Sequence, residues 1–406
     1  MMGKKRNVPK LRFPGFSAAF NTKRLEEICD KIGDGLHGTP KYDENGDYPF
    51  INGNNLSQGI LQITDTTKRV GDNEYKKHKK HLGERSLLLS INGTIGNLAY
   101  YRGEQILLGK SAAYISFSED FSLPFGFYLL QTSSIRNFFS SELTGSTIKN
   151  LSLKTIRETK AEIPSLPEQQ KIATFLTAVD RRIELLEQKK EKLEAYKKGV
   201  MQQIFSRQIR FKQDDGSEFP DWEEKKLGEV GDIVVGGTPS TTQKEYWGGN
   251  IGWIGSGELK DDYVSFPTKH ITHSGLKNSS TIMMPKGTVL LAMTGATLGK
   301  TGLLTFECCG NQSVAGILPS KRFDSYFMFQ VLQNEKNQIF SFAGGAAQIG
   351  INKKNIEGLT INLPSPQEQE KIAVFLSKID LVQRQLTMKI TQTQIWKKGL
   401  LQQMFV

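Results

Sequence analysis

The stretch Pro164–Phe205 reads PSLPEQQKIATFLTAVDRRIELLEQKKEKLEAYKKGVMQQIF, and it returns at Pro364–Phe405 as PSPQEQEKIAVFLSKIDLVQRQLTMKITQTQIWKKGLLQQMF. Every residue is displaced by 200 positions without a gap, and 18 of the 42 pairs are identical, which marks an internal duplication. Both copies predict helix. Pro167 and Glu168 sit where a fixed φ and a negative charge suit the positive end of a helix. Apolar residues then recur at spacings of four and three: Ile172, Leu176, Val179, Ile183, Leu186, Leu193, Val200 and Ile204, interrupted at Lys190 and Lys197. The second copy keeps the seam with Ile372, Leu376, Ile379, Leu386, Ile390, Leu400 and Met404, interrupted at Gln383, Thr393 and Lys397. Such a pattern predicts a coiled coil. Forty helical residues make a rod roughly 60 Å long.

Outward from the helices, the duplication takes in the sequence before each of them. Phe13-Pro14-Gly15-Phe16 precedes Leu25-Glu26-Glu27-Ile28, as Phe219-Pro220-Asp221-Trp222 precedes Leu227-Gly228-Glu229-Val230. Gly38-Thr39-Pro40 matches Gly237-Thr238-Pro239, and Pro49-Phe50-Ile51 with Leu56 matches Gly252-Trp253-Ile254 with Leu259. Leu87–Gly96 matches Val289–Gly299, Gly145 matches Gly345, and Ile156 matches Ile356. Here the offset drifts between 199 and 203, as it does where loops vary in length. Short apolar runs bounded by Gly, Asn, Ser or Pro predict strands at Leu87–Ile91, Ala112–Phe117, Val289–Met293 and Val314–Leu318. Helices are expected over Phe125–Glu142 and Ser325–Phe342, and strand-like Thr159–Ile163 and Leu359–Leu363 feed the long helices. The expected fold class is α+β: two β-rich domains joined by two long helices that form an antiparallel coiled coil, with an internal pseudo-twofold repeat. The expected boundaries are 1–163 for the first domain, 164–207 for its helix, 208–363 for the second domain and 364–406 for its helix. Met1–Lys10 reads as a loose lead-in.

The chain has 406 residues and a formal net charge of +11, with 53 basic and 42 acidic side chains. The first 205 residues hold 31 basic and 23 acidic groups and the remainder 22 and 19, so the excess is spread over folded sequence rather than confined to a tail. That balance favours a polyanionic partner such as nucleic acid. Cys29, Cys308 and Cys309 give neither a disulfide framework nor zinc-ligand spacing, which fits a reducing, cytoplasmic setting. Lys4, Lys5 and Arg6 are followed by no apolar core of a secretory signal. No apolar run reaches the roughly 18 residues of a transmembrane helix.

Catalytic motifs fail on inspection. Gly295 and Gly299, before Lys300-Thr301, resemble a phosphate-binding loop, but three residues separate the glycines where four are needed. The matched turn Gly93–Gly96 is followed by Asn97, not lysine, so a tight glycine turn is the better reading. Pro220-Asp221 with Glu223-Glu224-Lys225 mimics a nuclease motif, yet its carboxylates crowd one short segment and the matched Phe13–Phe16 has no acid. No Asn-Pro-Pro-Tyr or Asp-Pro-Pro-Tyr run exists, nor a glycine-rich strand-to-helix turn for a methyl donor. His78 and His81 lie in the basic run Lys76–His81 and, without a nearby Cys or carboxylate partner, read as a solvated charged face rather than metal ligands. His37, His270 and His273 complete no nucleophile-and-base pattern that recurs in both halves.

The run Pro-x-x-x-Glu-Gln-x-Lys-Ile-Ala-x-Phe-Leu-x-x-x-Asp, at 164–180 and again at 364–380, resembles the conserved region of the specificity (S) subunit of type I restriction–modification systems. Gly-Thr-Pro near the start of each domain and Ile-Asn-Gly-Thr-Ile-Gly at 91–96 resemble that family's target recognition domains. The second copy departs only in replacing Leu166-Pro167 by Pro366-Gln367, which bears on the first turn of its helix. The resemblance implies a non-catalytic subunit whose two domains, held apart by the helices, each read half of a split DNA sequence. Methyltransferase (M) subunits, two of them, would bring S-adenosylmethionine and adenine methylation. Restriction (R) subunits would bring ATP-driven translocation and Mg2+-dependent cleavage. Sequence would be read in the major groove by amides on adenine and by Arg or Lys on guanine, with phosphate contacts fixing register. Candidate DNA-binding residues are Lys41, Asn52, Asn54, Asn55, Arg69, Lys76, Lys77 and Asn92 in the first domain, and Lys244, Lys260, Lys269 and Thr294 in the second. The alternative, a self-contained nuclease or DNA methyltransferase with an unrecognised site, finds no motif to support it.

Overall fold

The computed structural model describes residues 8–145, 149–343 and 349–406. Lys4, Lys5, Arg6 and Gly345 lie outside the described residues. The duplicated stretches are continuous helices, Leu166–Phe205 and Pro366–Gln403. Moving the proline to the first helical position leaves that turn intact, because its missing N–H would be unbonded there anyway. The chain forms two compact units, Met1–Glu187 with Met388–Val406, and Gln188–Thr387. Each helix therefore contributes one half to each unit.

In the first unit the start of the first long helix meets the end of the second, so the two run antiparallel. Ile172, Leu176 and Val179 share a core with Leu400, Met404 and Phe405. Lys397 bonds Asp180 at 2.6 Å, and the Phe175 and Trp396 rings meet edge-on at 5.9 Å. The second unit repeats the arrangement with the roles exchanged: Met201 and Ile204 join Ile372, Leu376 and Ile379, and Lys197 bonds Asp380 at 2.6 Å. Leu386 is buried as well, while Ile183, Leu186, Leu193, Val200 and Ile390 are half-buried. The seam lysines are thus paired with carboxylates rather than left in an apolar groove.

The first β-rich domain is built on a four-stranded sheet ordered Cys29–Asp34, Ala112–Phe117, Ser86–Ser90, Leu98–Tyr100. Its central strand, SLLLS, is wholly buried, and the terminal serines are satisfied there: Ser86 bonds Ser116 at 2.7 Å and Ser90 accepts the Asn97 N–H at 2.8 Å. A second, three-stranded sheet runs Arg69–Val70, Tyr48–Ile51, Leu107–Leu108, the last pair parallel. In the other unit, a five-stranded sheet is ordered Ile233–Val235, Val314–Ile317, Val289–Ala292, Thr301–Leu304, Asp262–Val264. A four-stranded sheet runs Lys269–Ile271, Trp247–Ile254, Cys308–Gly310, Met283–Met284. Two short ribbons, Asn21–Arg24 with Lys160–Ile163 and Glu223–Lys226 with Thr360–Leu363, deliver the chain to the long helices.

The Glu-Gln-…-Asp signature holds each domain to its helices. Gln169 accepts the Ser122 N–H at 2.9 Å and donates to Pro164 O at 3.0 Å, and Gln369 does the same with Asp324 N at 2.9 Å and Pro364 O at 2.8 Å. Glu168 is buried beneath Arg12, which forks onto it at 2.7 Å, and Glu368 beneath Arg210 at 3.2 and 2.8 Å, with Trp222 Nε1 donating at 3.1 Å. Asp180 accepts from the Tyr128 hydroxyl at 2.8 Å, as Asp380 accepts from Tyr326. The ends of the chain follow the same repeat. Leu11 N donates to Gln403 O at 2.9 Å, just as Ile209 N donates to Gln203 O at 3.1 Å.

Three sequence expectations are corrected. Each expected long helix within a domain is two: Leu123–Leu129 with Ser133–Ser141, and Ser325–Asn334 with Lys336–Ser341. Thr132 adopts an extended ψ of 148° and returns its hydroxyl to Leu129 O, which ends one helix and opens the next. The matched motif before each ribbon is also different. Arg12-Phe13 corresponds to Arg210-Phe211, since Phe13 meets Phe175 at 5.6 Å as Phe211 meets Phe375 at 5.7 Å, and Phe20 takes the place of Trp222 before the ribbon. Finally, His78 is not without a carboxylate neighbour: it lies 3.6 Å from Glu74, one turn back in the helix Asp72–His78.

Candidate nucleic-acid interface

In the first domain the strand Tyr48–Ile51 ends in a one-turn 3-10 helix, Gly53–Asn55. Asn55 closes that turn, accepting the Asn52 N–H at 3.0 Å and donating to Gln62 O at 3.0 Å, so its amide is structural. Asn52 Oδ1 accepts the Ser111 hydroxyl at 2.8 Å, and Ser111 in turn accepts the Gly53 N–H at 2.9 Å. A Cβ at Gly109 would lie 2.3 Å from Asn52 Oδ1, which is why glycine stands there. The amide nitrogen of Asn52 and the whole amides of Asn54 and Gln62 have no protein partner among the described residues. They line a cavity of about 350 Å3 with Tyr42, Thr64, Thr66 and Lys68, whose ammonium lies 4.4 Å from the Tyr42 ring.

A second cavity of about 510 Å3 is lined by Asp34, His37, Asn92, Lys110, Asn150 and Ser152. His37 bonds Asp34 at 2.7 Å, and Asn92 Oδ1 is enclosed without a partner. The two cavities have no lining residue in common but adjoin in the backbone, because a Cβ added at Gly53, which is bonded to Ser111, would lie 3.5 Å from Asn92 O. Of the candidate DNA-binding residues, then, Asn52, Asn54 and Asn92 gather along one polar edge, with Asn55 clasping it from below. Gln62, Lys68, His37 and Lys110 join them, each a single polar residue in a loop with no local pattern to mark it. Arg69 is diverted, its guanidinium donating to the carbonyls of Gly46 and Asp47 at 3.3 and 3.2 Å. Lys76 pairs with Asp72 at 2.7 Å, while Lys77 and Lys41 are exposed, Lys41 N donating to Glu74 at 3.2 Å.

The second domain builds the same edge with different side chains. Glu258 closes the turn Ser256–Glu258 by accepting the Gly255 N–H at 3.0 Å, as Asn55 does for Asn52. The strand pairing aligns Gly255 with Asn52 and Asn311 with Gly109. The asparagine has therefore changed strands: a Cβ at Gly255 would stand 3.7 Å from Asn311 Nδ2. Asn311 was not anticipated, and only comparison of these two matched positions exposes it. Thr294, the counterpart of Asn92, donates to Ser313 at 2.8 Å, and Thr238 bonds Gln312. Lys244, Lys260 and Lys269 are exposed without carboxylate partners among the described residues, Lys269 lying 5.8 Å from the Trp253 ring.

Burial pushes the thiols of Cys29, Cys308 and Cys309 up, Cys308 to about 12, so none is poised as a thiolate. The expected phosphate-binding look-alike is a one-turn 3-10 helix, Gly295–Thr297, entered at a Gly295 φ of 68°, and Lys300 is engaged with Asp261 at 3.0 Å. Among the described residues no cluster of His, Cys, Asp and Glu has the form of a metal site, and no helix is long and apolar enough to cross a membrane.

Two β-rich domains, each ending in a polar edge and each seated on paired helices, make up an internally duplicated protein. The family model for the type I restriction modification DNA specificity domain matches twice, over residues 18–195 and 220–393. The chain belongs to that family, and it is a specificity subunit without catalysis of its own. It is 27% identical over 397 residues to the protein assigned as the MjaX type I restriction enzyme specificity subunit of Methanocaldococcus jannaschii, covering 93% of this chain and 90% of that one. The MjaVIII specificity subunit of the same organism is 25% identical, covering 82% and 80%. Among solved structures, the S subunit of a type I system from M. genitalium shares the fold with a TM-score of 0.61 at 16% identity, covering 98% and 99%.

Proposed function

We propose that the two polar edges read the two halves of a split duplex target, Asn52, Asn54 and Asn92 serving the first and Thr294 and Asn311 the second. The reversed asparagine–glycine pair carries this reading: one frame, with one amide per edge supplied from opposite strands, suits two half-sites of different sequence. Lys41, Lys77, Lys244, Lys260 and Lys269 supply phosphate contacts that set register. Arg69, Lys76 and Asn55 hold loops in place. The recognition domains are taken as 1–163 and 208–363, and the helices 164–207 and 364–406 as the spacer that sets the gap between half-sites. The subunit works with two M subunits, which carry S-adenosylmethionine, and with R subunits, which carry ATP and Mg2+, in the cytoplasm where the DNA is.

Methylation mapping in cells that express this chain with its M subunit tests the reading. Asn52→Ala should relax the sequence requirement in one half-site only, and Asn311→Ala in the other only. Relaxation of the same half by both variants, or of neither, would count against it. The purified chain, given DNA, S-adenosylmethionine and Mg2+, should neither methylate nor cut.

A further inference from the structure

Among the exposed large apolar side chains of the described residues, Phe266 stands apart. It is 86% exposed, against 65% for Ile395, the next highest. It occupies the short loop between the strands Asp262–Val264 and Lys269–Ile271. That loop is fastened at both ends. Val264 O accepts the Thr305 hydroxyl at 3.0 Å, and Thr268 N donates to Glu258 Oε2 at 2.9 Å. Glu258 is the residue that closes the Gly255 turn, so the loop is bonded directly to the polar edge of the second domain. Pro267 lies on Gly252, where an added Cβ would come within 2.7 Å of its ring. The phenyl ring is thus held out on a braced stem rather than carried on a slack loop.

Its surroundings say what it meets. Lys260, Lys269 and His270 are exposed nearby in sequence, and none has a carboxylate partner among the described residues. The strand Lys269–Ile271 is the outer strand of its sheet. A protruding ring with the exposed lysines Lys260 and Lys269 close to it in the chain matches a duplex, whose phosphates attract the lysines and whose base edges or opened steps accept the ring. In the first domain the strand pairing aligns His270, opposite Gly252, with Arg69, opposite Pro49, and so Lys269 with Lys68; the loop before them carries Thr64, Thr66 and Thr67, with no aromatic side chain. The two edges therefore differ at this loop as they do at the asparagine.

Resting on the reading that these edges bind DNA, we propose that Phe266 is a specificity-determining residue that makes an apolar contact with the bases of the second half-site. Such a contact contributes to discrimination but releases no counterions, whereas a lysine on phosphate contributes to affinity for any sequence.

The test uses this chain assembled with its M subunit and fluorescent duplexes carrying either the site found by methylation mapping or a scrambled second half-site. Affinity is measured across a salt series. Phe266→Ala should lose roughly 10- to 100-fold in preference for the true site, with the salt slope unchanged. Phe266→Leu or Phe266→Trp should recover part of that preference. Lys269→Ala should weaken both duplexes alike and lower the salt slope by about one. If Phe266→Ala discriminates as well as the native assembly, the assignment to Phe266 is wrong while the reading of the edges stands. If it lowers M-subunit association, seen by size-exclusion chromatography, the ring is a protein contact and the proposal falls. If the native assembly itself does not discriminate between the duplexes, the reading of the edges fails, and the proposal with it.

Discussion

Single side chains decide how firmly each domain is seated. The Glu168 side chain is only 2% exposed and among the described residues has no donor besides Arg12, whereas Glu368 keeps Trp222 when Arg210 is removed. Arg12→Met should therefore cost about 3–5 kcal/mol, the toll of a buried charge stripped of its partner, and Arg210→Met less. Urea unfolding monitored by hydrogen exchange at the ribbon Asn21–Arg24 would measure the first, and Glu168→Gln added to Arg12→Met should restore most of the loss. Asp261 makes a pH prediction. Burial alone would raise its pKa, but Lys336 at 2.9 Å, the Thr301 N–H and Lys300 at 3.0 Å outweigh that and hold it below the usual 3.8. A depressed folded value means the stabilisation is fully present above pH 3.8 and is lost as pH falls through the lower folded value. Asp261→Asn should reduce stability at pH 6 and flatten that acid limb; asparagine tolerates the positive φ of 58° at this position. An unchanged acid limb would show that these lysines do not govern it.

At the scale of elements, the exchanged ion pairs bear on half of the chain. Lys197 meets Asp380 in one unit and Lys397 meets Asp180 in the other. A fragment ending near Arg207 lacks residues 388–406 but carries their counterparts 188–206, so a second copy can supply the missing half-helix and pair its Lys197 with Asp180. The fragment should dimerise and, with the M subunit, direct methylation to a palindrome of the first half-site. Lys197→Asp alone should shift the fragment to monomer in analytical ultracentrifugation, and Lys197→Asp with Asp180→Lys should restore the dimer. A folded native fragment that stays monomeric at micromolar concentration would refute it. The heptad spacing and the constant offset made the helices, the strands after Ser86 and Val289, and the duplication legible. The site was legible only in part. Asn52, Asn54 and Asn92 stood out because amides cluster beside glycines, but Asn311 sits in a segment whose first-domain match is glycine. Nothing local to Arg69 reveals that its guanidinium donates to the carbonyls of Gly46 and Asp47. The broken helices at Thr132 and Glu335 were hidden because apolar periodicity continues across both joints.

For the whole molecule, a net charge of +11 predicts that DNA affinity of the assembly falls linearly in log–log form with salt. Salt-independent binding would locate the DNA elsewhere than on these basic surfaces. Removing residues 187–190 together with the antiparallel segment of the second helix should shorten the methylated spacer by roughly one to two base pairs, since a helical turn rises about 5.4 Å against about 3.4 Å per base pair. Retention of the original spacer by a folded variant would show that helix length does not set it. The hydrogen bond from Leu11 to Gln403, twin of that from Ile209 to Gln203, has a consequence for the order in which the halves are written. The last helix hands over to the first domain with the same geometry by which the first helix hands over to the second, lacking only the peptide link. Among the described residues this bond marks neither junction as the leading one. A gene rearranged to begin near Gln208, run to Val406 and continue through a short linker into Val8 should encode a circular permutant with the same target, as though the reading order of the chain were a matter of where the cycle happens to be cut.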